Sequence, residues 1–78
     1  MKYSIGDTIK LKPLNQLLNL ASRMENFSFE KGIIKGGGFV IGAGMLKRGS
    51  ATILHTDITN IYDYLCNDNS YYSDWMLE

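Results

Sequence analysis

Seventy-eight residues, 45% of them hydrophobic and 21% charged, suffice for one domain and exclude a disordered or fibrous chain. Eight basic and eight acidic residues cancel, so the basic excess typical of general nucleic-acid binders is absent. No apolar run approaches the roughly 18 residues of a membrane span, and Asp7 stands where a signal peptide would have its apolar core, so the expectation is a cytosolic protein.

In chain order, Gly6-Asp7 forms a turn ahead of TIKLK, where Ile9 and Leu11 share one face of a half-buried strand. Pro13 suits the first position of a helix, and Leu14, Leu17, Leu18, Ala21 and Met24 recur at helical spacing. Residues 25 to 35 read as a connection carrying one short strand or an irregular loop, with Phe27 and Phe29 alternating with Ser28 and Glu30. Gly36-Gly37-Gly38 breaks the chain before a strand at Phe39-Val40-Ile41. Gly42-Ala43-Gly44 reads as a bend, Met45-Leu46 as an apolar anchor and Lys47-Arg48-Gly49 as a turn. SATILHT is rich in β-branched residues and predicts a strand in which Ala51, Ile53 and His55 alternate with Thr52, Leu54 and Thr56. IYDYLC predicts the antiparallel partner of that strand, followed by a turn at Asn67-Asp68-Asn69, a brief strand at Ser70–Tyr72 and a last turn returning Met76 and Leu77 to the core. Short, closely spaced strands with one early helix predict a mainly β fold, a small antiparallel barrel with one short helix inserted after the first strand, spanning residues 1–78.

IGDTIKLK, the Leu-rich PLNQLLNLA, FVIGAGMLKRGSATI and the closing YYSDWMLE together resemble small phage and Gram-positive mobile-element proteins with an SH3-like barrel. The likeness runs from Ile5 to Glu78. It implies an SH3-like fold and a bacterial host's cytosol, and it carries no catalytic residues. Gly36-Gly37-Gly38 and the stretch from Asn26 to Lys35 depart from that pattern, which makes this loop the expected place of specialisation.

The segment GGGFVIGAG has the glycine content of a phosphate loop, but no Gly-Lys-Ser/Thr follows and Phe39-Val40-Ile41 is β-like where a helix is needed. What remains is an anion nest formed by Gly36, Gly37 and Gly38 with Lys35, Lys47 and Arg48, working between subunits. His55 and Cys66 are the only soft ligands, and a structural zinc site needs four, so one chain holds no such site and no cofactor is expected. Ser50, His55 and Asp57 lack the nucleophile turn and oxyanion element of a hydrolase, and the expectation is no enzyme.

Charge is segregated along the chain. All eight basic residues lie at or before Arg48, against Asp7, Glu25 and Glu30, for a net +5. From Asp57 onward five acidic residues stand with no basic one, a net −5. Tyr62, Asp63, Tyr64, Asp68, Tyr71, Tyr72 and Asp74 interleave aromatic and acidic side chains there, the composition of a protein-binding hot spot that meets a basic partner. Packing demands that Trp75 and one tyrosine of each pair be buried. The leading expectation is therefore a non-enzymatic binding protein that docks on and inhibits or redirects a bacterial protein, in the manner of an anti-defence, anti-CRISPR-type inhibitor. Two readings compete with it. One is an oligomer sequestering a nucleotide or other small anion at the glycine-rich segment; the other is a nucleic-acid-binding barrel using Lys2, Lys10, Lys12, Lys47 and Arg48, which zero net charge disfavours.

Overall fold

A computed structural model describes residues 2–78. In chain order its elements are β1 (Thr8–Ile9), α1 (Leu14–Ala21), β2 (Ser28–Glu30), β3 (Ile33–Gly36), β4 (Phe39–Ile41), α2 (Ala43–Arg48), β5 (Ala51–Thr56), β6 (Tyr64–Cys66), β7 (Tyr71–Tyr72) and a 3₁₀ turn (Asp74–Met76). The fold is mainly β, and all strand pairings are antiparallel. Contacts divide it into a terminal unit, the chain up to Leu11 with Gly49–Glu78, and a middle unit, Lys12–Arg48. Neither unit's sheet closes on itself, so the expected closed barrel is not what forms: one sheet runs β1-β5-β6-β7 and the other β2-β3-β4. Among the described residues no helix is long and apolar enough to cross a membrane.

In the terminal unit β5 forms where the β-branched run predicts it, and Ala51 and Ile53 point into the core. Its alternation then fails. The register against β6 shifts between Ile53 and His55, a bulge that leaves Leu54 and His55 both exposed. Asp57 lies past the strand with φ 56, so it does not continue the His55 face as the sequence alternation implies. The strand predicted from Ile61 starts only at Tyr64, because the Thr59 hydroxyl accepts the N–H groups of Ile61 and Tyr62 and holds them out of the ladder. Met76 and Leu77 do return to the core, and the chain end is tied down by a Leu11–Leu77 bridge and by the Glu78 N–H donating to the Lys10 carbonyl. Trp75, expected to be buried, is half-buried.

In the middle unit α1 packs on β3 through Leu17 and Ala21, an i, i+4 pair. The predicted stripe is wider than the real one: Leu14 is exposed, Leu18 half-buried, and the helix ends before Met24. Pro13 sits one position earlier than predicted, as N-cap, with an extended ψ of 149. The stretch read as one strand or a loop is a β2–β3 hairpin whose two-residue loop, Lys31-Gly32, has φ 53 and 75. Gly37-Gly38, with φ 57 and 86, make a second such loop between β3 and β4. Gly36 is instead a strand residue, and its missing side chain lets α1 approach: a Cβ there would lie 3.2 Å from the Ala21 carbonyl oxygen and 3.3 Å from Met24 Cβ.

The second helix corrects the expected bend and turn at 42–49. The Gly42 carbonyl accepts the N–H groups of Met45 and Leu46 to start α2, Lys47 and Arg48 stand at its negative end, and Gly49, at φ 87, stops it.

Candidate protein-binding surface

The aromatic and acidic residues of the terminal unit separate into a core set and a surface set. Tyr64 is fully buried in β6 and Tyr72 nearly so in β7, which leaves neither ring available to a partner; both belong to the core rather than to the surface patch. Their hydroxyls nevertheless reach the rim and consume the acidic residues. Tyr64 donates to an Asp74 carboxylate oxygen, and Tyr72 donates to Asp68 Oδ2 at 2.5 Å. Asp63 Oδ2 accepts the Asp74 backbone N–H at 2.9 Å, and Asp68 Oδ1 accepts the Ser70 N–H at 3.0 Å. All three carboxylates expected to face a partner are therefore hydrogen-bonded within the unit, where they fix the closing segment.

Burial, and after it the hydrogen bond to Asp74, push the Tyr64 phenol up to about 12. Cys66, buried two residues further along β6, is pushed up to about 11 by burial and then by the negative charge of Asp68. Its thiolate is scarce at neutral pH, which fits a packing role and not a nucleophilic one.

What reaches the surface is Tyr71, 44% exposed, and the half-buried Tyr62. Their ring centroids lie 5.6 Å apart with the planes tilted by 37°. Ile61, 42% exposed, precedes Tyr62 and lies outside the aromatic and acidic residues that the sequence pattern marks. Thr59 and Ser73 were also missed, and they hold the anchor in place. The Thr59 hydroxyl accepts the two N–H groups at 61 and 62, the Thr59 N–H donates to the Tyr62 carbonyl, and the buried Ser73 hydroxyl donates to the Ile61 carbonyl at 2.7 Å. A Thr two residues ahead of an apolar-aromatic pair is the signal that was present for it. The unit's charge suits the same use: Lys2 and Lys10 face six acidic residues, a net −4.

The proposed anion contacts all lie in the middle unit, which carries six basic and two acidic residues. Lys35 and the three glycines line one cavity of about 260 Å³ with Glu25, Asn26, Phe39 and Val40. Lys47 and Arg48 are not among its lining residues; they stand in the last turn of α2. The Gly37 N–H, which a nest would offer to an anion, donates to the Glu25 carbonyl at 2.8 Å. His55 is solvent-exposed on β5, as is Ser50 just before it. Among the described residues no three His, Cys, Asp or Glu side chains gather in a way that would hold a metal ion.

Compared with protein-family models, curated proteins and solved structures, the chain matches none of them.

Proposed function

We propose that this chain is a non-enzymatic binding protein of phage or mobile-element type that docks on a bacterial protein in the host cytosol and inhibits or redirects it. The observation that carries the reading is the Tyr62–Tyr71 ring pair beside the exposed Ile61, held by Thr59 and Ser73 in a unit of net charge −4. Exposed aromatic side chains fixed in advance lose little entropy on binding, and an acidic surround steers them toward a basic surface. An anti-defence inhibitor occupying a basic nucleic-acid groove is the specific form of this reading. An SH3-like relationship for the β1-β5-β6-β7 sheet accompanies it, supported by the order of motifs in the sequence and by the bulged central strand.

Tagged protein incubated with bacterial lysate, followed by size exclusion with light scattering and mass spectrometry, tests the proposal. A stoichiometric partner retained by the wild type, released as salt is raised and lost by the Ile61→Ser, Tyr71→Ser double variant is the expected result. A partner that the double variant binds at wild-type stoichiometry would sink the assignment of this surface.

A further inference from the structure

Phe29 in β2, and Phe27 just before it, alternate with Ser28 and Glu30, so the two large apolar side chains fall to one side of the middle unit's sheet. Phe29 stands opposite Ile34, which stands opposite Ile41, and both isoleucines are buried. Phe29 thus belongs to the core face, yet it is 42% exposed and Phe27 38%, because β2 is the outermost strand of the order β2-β3-β4. The apolar face runs out to an edge that nothing among the described residues of that sheet continues.

The backbone of that edge can be deduced from its turns. In the Lys31-Gly32 loop both residues have positive φ, as a type I′ turn requires, so Glu30 and Ile33 are the hydrogen-bonded pair flanking it. Bonded and non-bonded pairs alternate along an antiparallel ladder. Phe29 and Ile34 are therefore a non-bonded pair, and the N–H and C=O of Phe29 point away from β3. The Gly37-Gly38 loop gives the same parity from the other side: Gly36 bonds Phe39, Ile34 bonds Ile41, and Lys35 turns its groups to Ser28.

We propose that this edge pairs with the same edge of a second copy of the chain, in a twofold dimer centred on Phe29. In that register each Phe29 N–H donates to the other copy's Phe29 carbonyl, and the two rings lie side by side on the shared core face. Ser28 falls opposite Glu30 of the partner subunit, and Phe27 opposite Lys31 of the partner subunit, so no like charges meet. A three-residue edge with one outward N–H and C=O pair holds an unrelated extended peptide poorly. A second copy brings its own exposed Phe27 and Phe29 to the same face, so the apolar strip of one edge is covered by that of the other, and this selects a second copy as the occupant. The surface is distinct from Ile61, Tyr62 and Tyr71, and the proposal stands whether or not those residues bind a partner.

Sedimentation of the full chain over a range of concentrations, with amide hydrogen exchange read by NMR, tests it. The wild type is expected to shift from monomer to dimer, and the Phe29 amide to exchange more than about tenfold more slowly in the dimer. Phe29→Pro removes the outward N–H together with the ring while leaving the ladder bonds to β3 in place, and Phe29→Glu places two carboxylates in contact across the axis; both are expected to stay monomeric while the Ile34 amide remains protected. Leu54→Glu, a charge on an exposed site of the other unit, is expected to dimerise as the wild type does. A wild type that stays monomeric at millimolar concentration overturns the proposal, including the case where a different protein occupies the edge. So does a dimer that survives both Phe29 variants.

Discussion

The Tyr64 hydroxyl donates to the Asp74 carboxylate ten residues further on, and the same oxygen accepts the Tyr3 backbone N–H at 3.0 Å. One phenol buried in β6 thereby fastens both the start of the chain and the closing 3₁₀ turn. The Tyr3 ring stands edge-on to the Tyr64 ring with centroids 6.1 Å apart, and its own hydroxyl donates to the Glu78 carbonyl oxygen. Tyr64→Phe keeps the packing and removes the fastener, leaving a carboxylate and an N–H to find other partners. The expected cost is about 1–3 kcal/mol, seen as a lower urea midpoint at unchanged slope. Tyr64→Ala adds a cavity and is expected to cost about 3–5 kcal/mol. A Tyr64→Phe midpoint equal to the wild type's would show that the two ends are held by packing alone.

Stability is expected to fall at alkaline pH in two overlapping steps. The Cys66 thiol ordinarily titrates near 9.0 and does so at about 11 in the fold, so the folded state holds its proton more tightly than the unfolded state. The stabilisation is complete below pH 9 and is lost as pH rises toward 11. Tyr64 repeats this one step higher, from 10.0 to about 12. Urea midpoints measured from pH 7 upward should hold level to about 9 and then drop. Cys66→Ala should delay the onset, and adding Tyr64→Phe should flatten the profile further. The same burial predicts that Cys66 is alkylated at pH 8 only as fast as the chain opens.

The terminal unit was more legible in the sequence than the middle one, for reasons that particular residues make clear. Ala51 and Ile53 alternate because a strand with one buried face requires it, and Met76 and Leu77 return inward because apolar residues at a chain end have no cheaper place. The bulge at Ile53/His55 leaves no composition signal, so the exposed faces of Leu54 and His55 could not be assigned. In the middle unit, Lys31 adopts a left-handed φ that is usual for Asn or Gly, and that choice hid the β2–β3 hairpin. Helix α2 was hidden by its glycines, read as breakers when Gly42 starts the helix and Gly49 stops it; the basic pair before a glycine was the available clue. For the candidate surface, residue identity located the tyrosines and aspartates. Which of each pair faces out depended on a register set by Thr59, and hydroxyl-to-carboxylate pairing across ten residues has no local signature.

Glycines in the middle unit should respond to alanine in opposite directions. At Gly36 a Cβ meets the Ala21 carbonyl oxygen at 3.2 Å, backbone that does not yield as a side-chain tip would. Gly36→Ala is expected to cost about 1–3 kcal/mol. At Gly37 the φ of 57 and the Met24 sulfur 3.3 Å from a Cβ both oppose the change, with an expected cost of about 1–2 kcal/mol. Gly44 lies in α2 with nothing within 4 Å of a Cβ, and Gly44→Ala is expected to stabilise by up to about 1 kcal/mol. Thermal midpoints of the three variants order them directly, and a stabilised Gly36→Ala would remove the close approach of α1 to β3 as the reason for that glycine.

Lys31 offers a stabilising change at the hairpin itself. It holds φ 53 ahead of Gly32 at φ 75, the two left-handed positions of a type I′ turn, and only the second is filled by the residue that tolerates them best. Lys31→Asn makes the Asn-Gly pair that such turns favour. The backbone is already in place, with Glu30 paired to Ile33, so the substitution relieves strain without altering the register. A gain of about 0.5–1 kcal/mol in urea unfolding is expected. Lys31→Gly should gain less, because the added freedom of the unfolded chain offsets part of the relief. If Lys31→Asn destabilised the fold, the lysine side chain would have to contribute a contact worth more than the strain it imposes, and the hairpin loop would become the next place to look for a charged partner.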